Sequence, residues 1–437
     1  MATAREAALR ALEKCRRAGA WSDAVLGSVM DAAGLQGPER GLCAALCYGV
    51  LQNRTLLDYA LQSRSAMPLN RVEPKVLDIL RLSACQILLM EKIPAPAAVN
   101  EGVRLCRSLG FARAAGYVNA VLRALAADPR LPEPQGDSAQ RLSILYSHPR
   151  WLVDLLLARL GEVETEELLR GNNRPAPLHL QVNTLNTTTQ ALERQLQAEG
   201  VKTERHPELP DCLIAEPTGA LARLDSFRAG YFYVQDPAAR LSVLAAAPRP
   251  GERVLDLCAS PGGKSFAAAI ASGGGAQITA CDIHENKLHR LRTGAERLGI
   301  SVETLAADAR ENRADWNGQF DLVIADVPCS GLGVIRKKPD IRWKDPAPFG
   351  KLPALQRTIL SNAARYVRPG GRLLYATCTL RQEENEEVAA AFAGREDFEA
   401  LDFDGLRGAR STDGMLQLWP QRHGTDGFFI ALMRKRT

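Results

Sequence analysis

No stretch of this 437-residue chain approaches the 18 or more uninterrupted apolar residues of a membrane span, so no spanning helix is expected. The start, Met1-Ala2-Thr3-Ala4-Arg5-Glu6, brings a charge pair at once, without an apolar segment and cleavage site behind it. A cytoplasmic protein is therefore expected. Cysteine is too thinly spread for a disulfide-stapled secreted domain: ten residues lie at 15, 43, 47, 85, 106, 212, 258, 281, 329 and 378 and should be reduced thiols. The close pair Cys43 and Cys47 has helical i, i+4 spacing in an apolar run with no second pair nearby, so it reads as core and no metal is expected. Gly-x-Gly-x-x-Gly is also missing. The eight-residue phosphate-loop pattern fails because the position for its first glycine is Cys258.

What is present is a soluble-type composition, 46% apolar and 24% charged, over a length about three times the common domain size of roughly 100 to 150 residues. Two or three cores follow from that length. The net charge of +5 is unevenly placed. Residues 1–130 hold 17 Lys and Arg against 11 Asp and Glu, while 131–437 hold 38 against 39. The basic third suits an anionic partner, nucleic acid being the commonest, or else a solvated basic surface.

Residues 2–127 show helical periodicity, as in Leu42, Leu46, Val50 and Leu51 and again in Val76-Leu77 and Leu80, predicting six or seven helices. Three prolines and a glycine between Asp128 and Gly136 then break any helix. The expected domains are thus 1–127, all-α; 128–140, a proline-rich linker; 141–235, a small α/β adaptor; and 236–437, a regular α/β sheet. In the adaptor a helix is predicted at Trp151 to Leu160, a strand at Leu178 to Val182 and a helix at Thr189 to Glu199. Beyond it, strand-like runs occur at Val254–Leu257, Ile278–Asp282, Val302–Ala306, Leu322–Ala325, Leu373–Tyr375 and Phe428–Leu432, most of them separated by helical stretches.

Three of these strands are expected to end in aspartate, Asp256, Asp282 and Asp308, spaced 26 residues apart, one βα unit per carboxylate. In an open parallel sheet that repeat places the acids along the crevice at the strands' carboxyl ends. The first strand runs into Cys258-Ala259-Ser260-Pro261-Gly262-Gly263-Lys264-Ser265, and a helix is expected to begin near Phe266. Its glycines permit a tight turn and close approach of a ligand. A glycine turn followed by an acid at the second strand end suits a ribose, so a nucleoside lacking phosphates, such as S-adenosylmethionine, fits better than a dinucleotide; an ordinary tight turn is the plain alternative. Asp308, preceding Ala309-Arg310-Glu311, also reads as a helix N-cap, and Lys264 as a solvated helix-start lysine.

Asp326-Val327-Pro328-Cys329-Ser330-Gly331 follows the fourth strand, and Tyr375-Ala376-Thr377-Cys378-Thr379 ends the next. One such cysteine would usually be packing; two at neighbouring strand ends, beside an aspartate and a cofactor-type loop, form a chemical constellation. These residues, with Cys258 to Ser265, resemble the RNA (cytosine-5) methyltransferases. Supporting matches are Leu180-Gln181-Val182-Asn183, Gly230 to Asp236, Pro339-Asp340-Ile341-Arg342-Trp343 and Asp426-Gly427-Phe428-Phe429. The first 125 residues resemble the helical RNA-binding domain of the NusB antitermination type, through Ala4-Arg5-Glu6-Ala7-Ala8 and Val118-Asn119-Ala120-Val121-Leu122-Arg123. The departures are small: Ser260 and Ser265 stand where the family loop commonly has Ala and Thr, and Lys338 where it often has His.

The resemblance covers the whole chain and implies a NusB-like helical domain, a small α/β subdomain and a Rossmann-like catalytic domain with a mostly parallel seven-stranded sheet. It implies S-adenosylmethionine as cofactor and carbon 5 of a cytosine in small-subunit (16S) ribosomal RNA as target; a monomer is expected. By resemblance Cys378 is the nucleophile that adds to carbon 6, Asp326 holds the cytosine edge and Cys329 assists elimination. Cys258, Ala259, Ser260, Pro261, Gly262, Gly263 and Lys264 would form the cofactor loop, with Asp282 at the ribose, Asp308 near the adenine and Asp326 at the site's edge. Both thiols remain chemically sensible attackers, because DNA cytosine methyltransferases use the cysteine of Pro-Cys. Arg336-Lys337-Lys338 could hold phosphates or be a solvated loop. The rival readings are the same chemistry on transfer RNA, or a non-catalytic ribosome-assembly or antitermination factor.

Overall fold

Helices begin where a side chain satisfies their free N–H groups. In the computed structural model, which describes residues 3–18, 22–216, 221–393 and 397–437, the Glu73 carboxylate accepts from the Val76 amide at 2.9 Å and Pro74 opens the helix behind it. Asp137, Thr188 and Asp236 cap helices in the same way. The described residues fall into two compact units, 1–174 with 335–344, and 175–334 with 345–437.

The first unit is helical. Its helices are α1 (Ala4–Ala18), α2 (Ser22–Ala32), α3 (Gly37–Gln62), α4 (Pro74–Leu89), α5 (Ala95–Ser108), α6 (Ala115–Ala127), α7 (Ser138–Leu145) and α8 (Arg150–Asn172). The first six pack around Leu46, Leu57, Ile79, Leu80, Leu105, Val118 and Leu122. Cys43 and Cys47 sit fully buried among them, and burial pushes the Cys43 thiol up to about 11. The expected helix at Trp151–Leu160 does not stop there: Gly161, at φ 74°, makes a joint, and the helix resumes as far as Asn172. Sequence periodicity is blind to such a joint because only glycine tolerates that backbone without cost.

The later segment Ile335–Lys344 completes this unit. Asp340 accepts from the Ser22 hydroxyl at 2.6 Å and amide at 3.4 Å. Arg342, fully buried, donates to the carbonyls of Gln52 and Ser147 and to Asn173 Oδ1, and burial draws its guanidinium down to about 9. Trp343 donates its indole N–H to the Leu51 carbonyl at 2.6 Å, and Arg54 lies over its ring. These residues of Pro339-Asp340-Ile341-Arg342-Trp343 are therefore structural anchors. Arg336 donates to the Arg174 carbonyl at 3.3 Å, and Lys337 and Lys338 are exposed.

The second unit holds two sheets. Strands β1 (Leu178–Val182), β2 (Thr203–Arg205), β3 (Cys212–Ala215) and β4 (Phe232–Val234) form an antiparallel sheet in the order β2-β3-β1-β4. Helix α9 (Thr189–Ala198) packs Leu192 and Leu196 against Leu180, Val182, Leu213 and Phe232, and the short α10 (Asp225–Arg228) precedes β4. The larger sheet contains β5 (Arg253–Asp256), β6 (Gln277–Asp282), β7 (Glu303–Ala306), β8 (Phe320–Asp326), β9 (Val367–Thr377), β10 (Phe398–Ala400), β11 (Met415–Leu418) and β12 (Phe428–Lys435). Its order is β7-β6-β5-β8-β9-β12-β10, parallel from β7 to β9, with β12 antiparallel beside β9 and β11 paired to β12. The pattern of apolar runs missed the two short strands β10 and β11, so the sheet has eight strands.

Residues of adjacent strand positions point to opposite faces. Val254, Leu322 and Ile324 pack with α11 (Pro237–Ala246), α12 (Gly263–Ala271) and α13 (Glu285–Leu298), whereas Leu255 and Val323 pack with α14 (Leu352–Tyr366) and α15 (Glu386–Ala393). From β5 the chain builds outward to β6 and β7, then returns to lay β8 on its other side. The order reverses between β5 and β8, the switch point at which an open parallel sheet forms its ligand crevice at the strands' carboxyl ends.

Candidate active site

The loop leaving β5 enters this crevice. Gly262 adopts φ 109°, and its amide closes a tight turn on the Ala259 carbonyl at 2.7 Å; a Cβ there would meet the Phe266 ring at 2.5 Å and Leu291 at 2.9 Å. The glycine is thus demanded by the backbone and by the packing beneath it. Helix α12 starts at Gly263, three residues before the expected Phe266. Ser265 donates to Asp256 Oδ2 at 2.7 Å, which is the use of its hydroxyl. Asp256 is fully buried, and its Oδ1 has no hydrogen-bond partner among the described residues.

Burial raises the Asp256 carboxyl from the usual 3.8 to about 7, against the pull of Ser265. A carboxyl raised on folding supports the native state while neutral, below its unfolded value, and loses that support as pH climbs through about 7. Asp256→Asn keeps an acceptor for Ser265 and cannot ionise. Thermal melts should show the variant gaining on the wild-type protein by about 2 kcal/mol between pH 5 and pH 8; parallel pH dependence of the two would contradict this.

Asp282 ends β6, buried, and uses Oδ1 to accept from the His284 amide at 3.0 Å, with Lys287 at 3.9 Å. Among the described residues nothing engages Oδ2. Asp308 is not a strand end: β7 stops at Ala306, and the aspartate lies two residues beyond. No helix follows for it to cap. It forms a turn instead, accepting from the Arg310 amide at 2.9 Å while both carboxylate oxygens are forked by the Arg310 guanidinium.

Across the crevice, at the end of β8, Asp326 receives the Lys264 ammonium at 2.5 Å. Lys264 is not in solvent; it is buried, with its charge also 5.0 Å from the centre of the Phe428 ring. Cys329 and Cys378 come from the ends of adjacent parallel strands, and their sulfurs lie 3.4 Å apart. The hydrogen bond to Cys378, desolvation and the nearby carboxylates Glu384 and Asp326 push the Cys329 thiol well up. It stays protonated at neutral pH.

Sequence reasoning missed the residues that hold these two cysteines in register. The Ser330 and Thr379 hydroxyls, each one residue past a cysteine, hydrogen-bond at 2.6 Å. Glu384, fully buried, accepts from the Ser330 amide at 2.9 Å and from Gln356 at 3.0 Å, and Gln356 also donates to the Pro328 carbonyl. Asn385 accepts from the Thr377 hydroxyl and donates to the Thr379 carbonyl. The Gly333 amide donates to the Cys378 carbonyl at 3.0 Å, and a Cβ on Gly333 would lie 1.9 Å from the Gly427 carbonyl oxygen, so no side chain fits there. In the sequence, Glu383-Glu384-Asn385-Glu386 looks like a solvated acidic helix start; nothing local marks Glu384 as buried.

The remaining motif residues join the small sheet to the large one. Asn183 donates to the carbonyls of Gly230 and Leu298, and Gln181 to that of Gln235. Gln235 in turn leans on the cofactor-type loop, its amide nitrogen 3.0 Å from where a Gly263 Cβ would be. Asp236 caps α11 and accepts from the Asp426 amide.

The donor set at the crevice fits a nucleoside: a glycine turn with no room for side chains, an acid with a free oxygen at the second strand end and a buried orphaned acceptor at the first. Comparison with known proteins gives the chain's relatives. Residues 243–434 match the family described as 16S rRNA methyltransferase RsmB/F, residues 148–220 the RsmF/B-like ferredoxin-like domain, and residues 2–127 the NusB family. A probable ribosomal RNA small subunit methyltransferase B of Bacillus subtilis is 37% identical, covering 99% of this chain and 98% of its own. The ribosomal RNA small subunit methyltransferase B of Vibrio cholerae is 34% identical, over 91% of this chain and 90% of its own. The crystal structure of PH0851 superposes with a TM-score of 0.83 at 26% identity, covering 98% of each chain.

Proposed function

That the chain belongs to the 16S rRNA methyltransferase RsmB/F family is the premise from which we propose its reaction: methylation of carbon 5 of one cytosine in small-subunit ribosomal RNA, through a covalent bond between Cys378 and carbon 6. The observation that carries this reading is the pair of sulfurs 3.4 Å apart at two adjacent strand ends, beside the Lys264–Asp326 pair and across from the glycine loop.

S-Adenosylmethionine, when bound by Cys258 to Lys264 and by Asp282, supplies an electrophilic methyl group on a sulfonium. Asp282, through its free Oδ2, would accept from the ribose hydroxyls. Asp308 stands near the adenine end with its carboxylate already held by Arg310, so its contribution there is the shape of the turn.

Carbon 5 of cytosine is a poor nucleophile until carbon 6 is attacked. The Cys378 thiolate forms the sulfur–carbon 6 bond as the carbon 5–carbon 6 double bond opens, which makes carbon 5 enamine-like. Asp326 accepts from the exocyclic amine and from N3–H, the proton that N3 takes up as the adduct forms, and the buried Lys264 ammonium beside it steadies the carboxylate's position. After carbon 5 has taken the methyl, its proton leaves to a base, the double bond re-forms and the Cys378 sulfur is expelled as thiolate. Cys329, kept as a thiol within reach of that sulfur, is placed to assist the expulsion.

Bisulfite sequencing of small-subunit rRNA from cells with and without this protein is expected to lose one protected cytosine when it is absent. Purified protein with labelled cofactor should methylate that rRNA and leave transfer RNA unlabelled. Labelled transfer RNA, or an unchanged bisulfite pattern, would refute the proposed substrate.

A further inference from the structure

Residues 95–127 of the helical unit carry four arginines, Arg104, Arg107, Arg113 and Arg123, against the single acid Glu101. On α5, Asn100, Arg104 and Arg107 follow i, i+4, i+7; on α6, Asn119 and Arg123 follow i, i+4, so each set shares one face of its helix. Opposite faces, with Val99 and Leu105 on α5 and Val118, Val121 and Leu122 on α6, are buried in the core. The polar faces are thereby turned outward, and together they line an open groove of about 750 Å³.

The charge in this groove is unspent. Several arginines elsewhere in the unit are matched by carboxylates: Arg16 and Arg81 with Asp78, Arg40 with Asp31, Arg64 with Asp128, Arg150 with Asp154. Arg104 follows that habit, held by Glu101 and Glu6. Arg107 and Arg123 do not: both are exposed, and neither has an ion-pair partner among the described residues. Between them the Asn100 and Asn119 amides add neutral donors, so the groove's lining presents forked and amide N–H groups and no carboxylate. This is a donor set that phosphate oxygens take up, and the lining holds no aromatic ring on which a base could stack.

We propose that the α5–α6 groove is a docking track for the phosphodiester backbone of the RNA substrate, with Arg107 and Arg123 as its phosphate contacts. The proposal rests on the rRNA reading above and gives the affinity for RNA a location on the helical unit. It also accounts for part of the basic excess of residues 1–130, which the fold's own ion pairs do not consume.

The test compares full-length wild-type protein with Arg107→Ser/Arg123→Ser and Arg107→Glu/Arg123→Glu, measuring affinity for a small-subunit rRNA transcript between 50 and 200 mM salt, values chosen for their steep counterion effect. Removing two contacts to single-stranded backbone should flatten the slope of log affinity against log salt by about 1.4. Affinity at the low-salt end should fall about tenfold for the serine pair and further for the glutamate pair. Arg71→Ser/Lys92→Ser removes the same charge outside the groove and should leave the slope unchanged. Thermal melts verify that all variants fold. A groove pair that binds like wild type, or a control pair that loses as much, overturns the proposal while leaving the rRNA reading intact. Failure of the wild-type protein to bind the transcript overturns that reading itself, and the groove's role with it.

Discussion

Cys378→Ala is expected to abolish methyl transfer to small-subunit rRNA, a loss of at least about 10⁴-fold, whereas Cys329→Ala is expected to leave protein joined to RNA on a denaturing gel. The two sulfurs are 3.4 Å apart, so reach does not separate them. The proposed reaction assigns them different tasks, Cys378 to attack and Cys329 to hold a proton. Cys329 shares a hydrogen bond with Cys378, is desolvated and faces the carboxylates of Glu384 and Asp326, and its thiol is raised. A raised thiol suits the holding of a proton. Removing Cys378 therefore removes the bond-forming atom. Removing Cys329 leaves attack and methyl transfer possible but slows the release of the Cys378 sulfur, so the adduct accumulates. A denaturing gel with labelled rRNA distinguishes the cases directly: an adduct with Cys378→Ala and none with Cys329→Ala would reverse the assignment.

The fold, and the gathering of the candidate site residues at the strand ends, were legible in the sequence for one reason. Strand ends in a parallel sheet carry the functional residues, and here each strand is followed at once by its own motif. Asp256 and Asp282, the Cys258–Lys264 loop, Asp326 and both cysteines all lie within a few residues of a strand's last residue. What could not be read depends on contacts between residues far apart in the chain. Lys264 resembles a solvated helix-start lysine until Asp326, 62 residues on, and the Phe428 ring enclose it. Asp308 fits the 26-residue rhythm, yet it lies two residues beyond the end of β7 and Arg310 takes its carboxylate. Arg342 reads in the sequence only as part of a supporting motif match; it is a fully buried anchor of the helical unit, because three acceptors from Gln52, Ser147 and Asn173 converge on it. Strands β10 and β11, of three and four residues, are too short for an alternation to register.

Glu384 is the residue whose replacement should most damage the reaction without touching substrate. Its carboxylate is fully buried and is met by the Ser330 amide, the Gln356 amide group and, at 3.4 Å, the Arg381 guanidinium. Two of those donors belong to the machinery that positions Cys329: Ser330 is its neighbour, and Gln356 also holds the carbonyl of Pro328 on its other side. Through the Ser330–Thr379 hydroxyl pair the same anchor reaches the residue after Cys378. In Glu384→Gln one side-chain oxygen becomes an N–H donor, so one of the three donors faces another donor, and the Arg381 charge loses a partner. A cost of about 3 kcal/mol in stability follows from a broken buried charged network. Loosening the two cysteine loops by about an ångström should lower turnover about 100-fold. Stability loss alone would also slow the enzyme, so a second readout is needed. The carboxylate raises the Cys329 thiol, and neutralising it should move the pH profile of Cys329 alkylation, followed by peptide mapping, to lower pH. Cofactor affinity, which the proposed reaction assigns to residues after β5 and β6, should stay within about threefold of wild type when measured on the folded variant. An unmoved alkylation profile with near-normal turnover would show that the clasp holds the fold and not the reaction, and that the cysteines are placed by their strands alone.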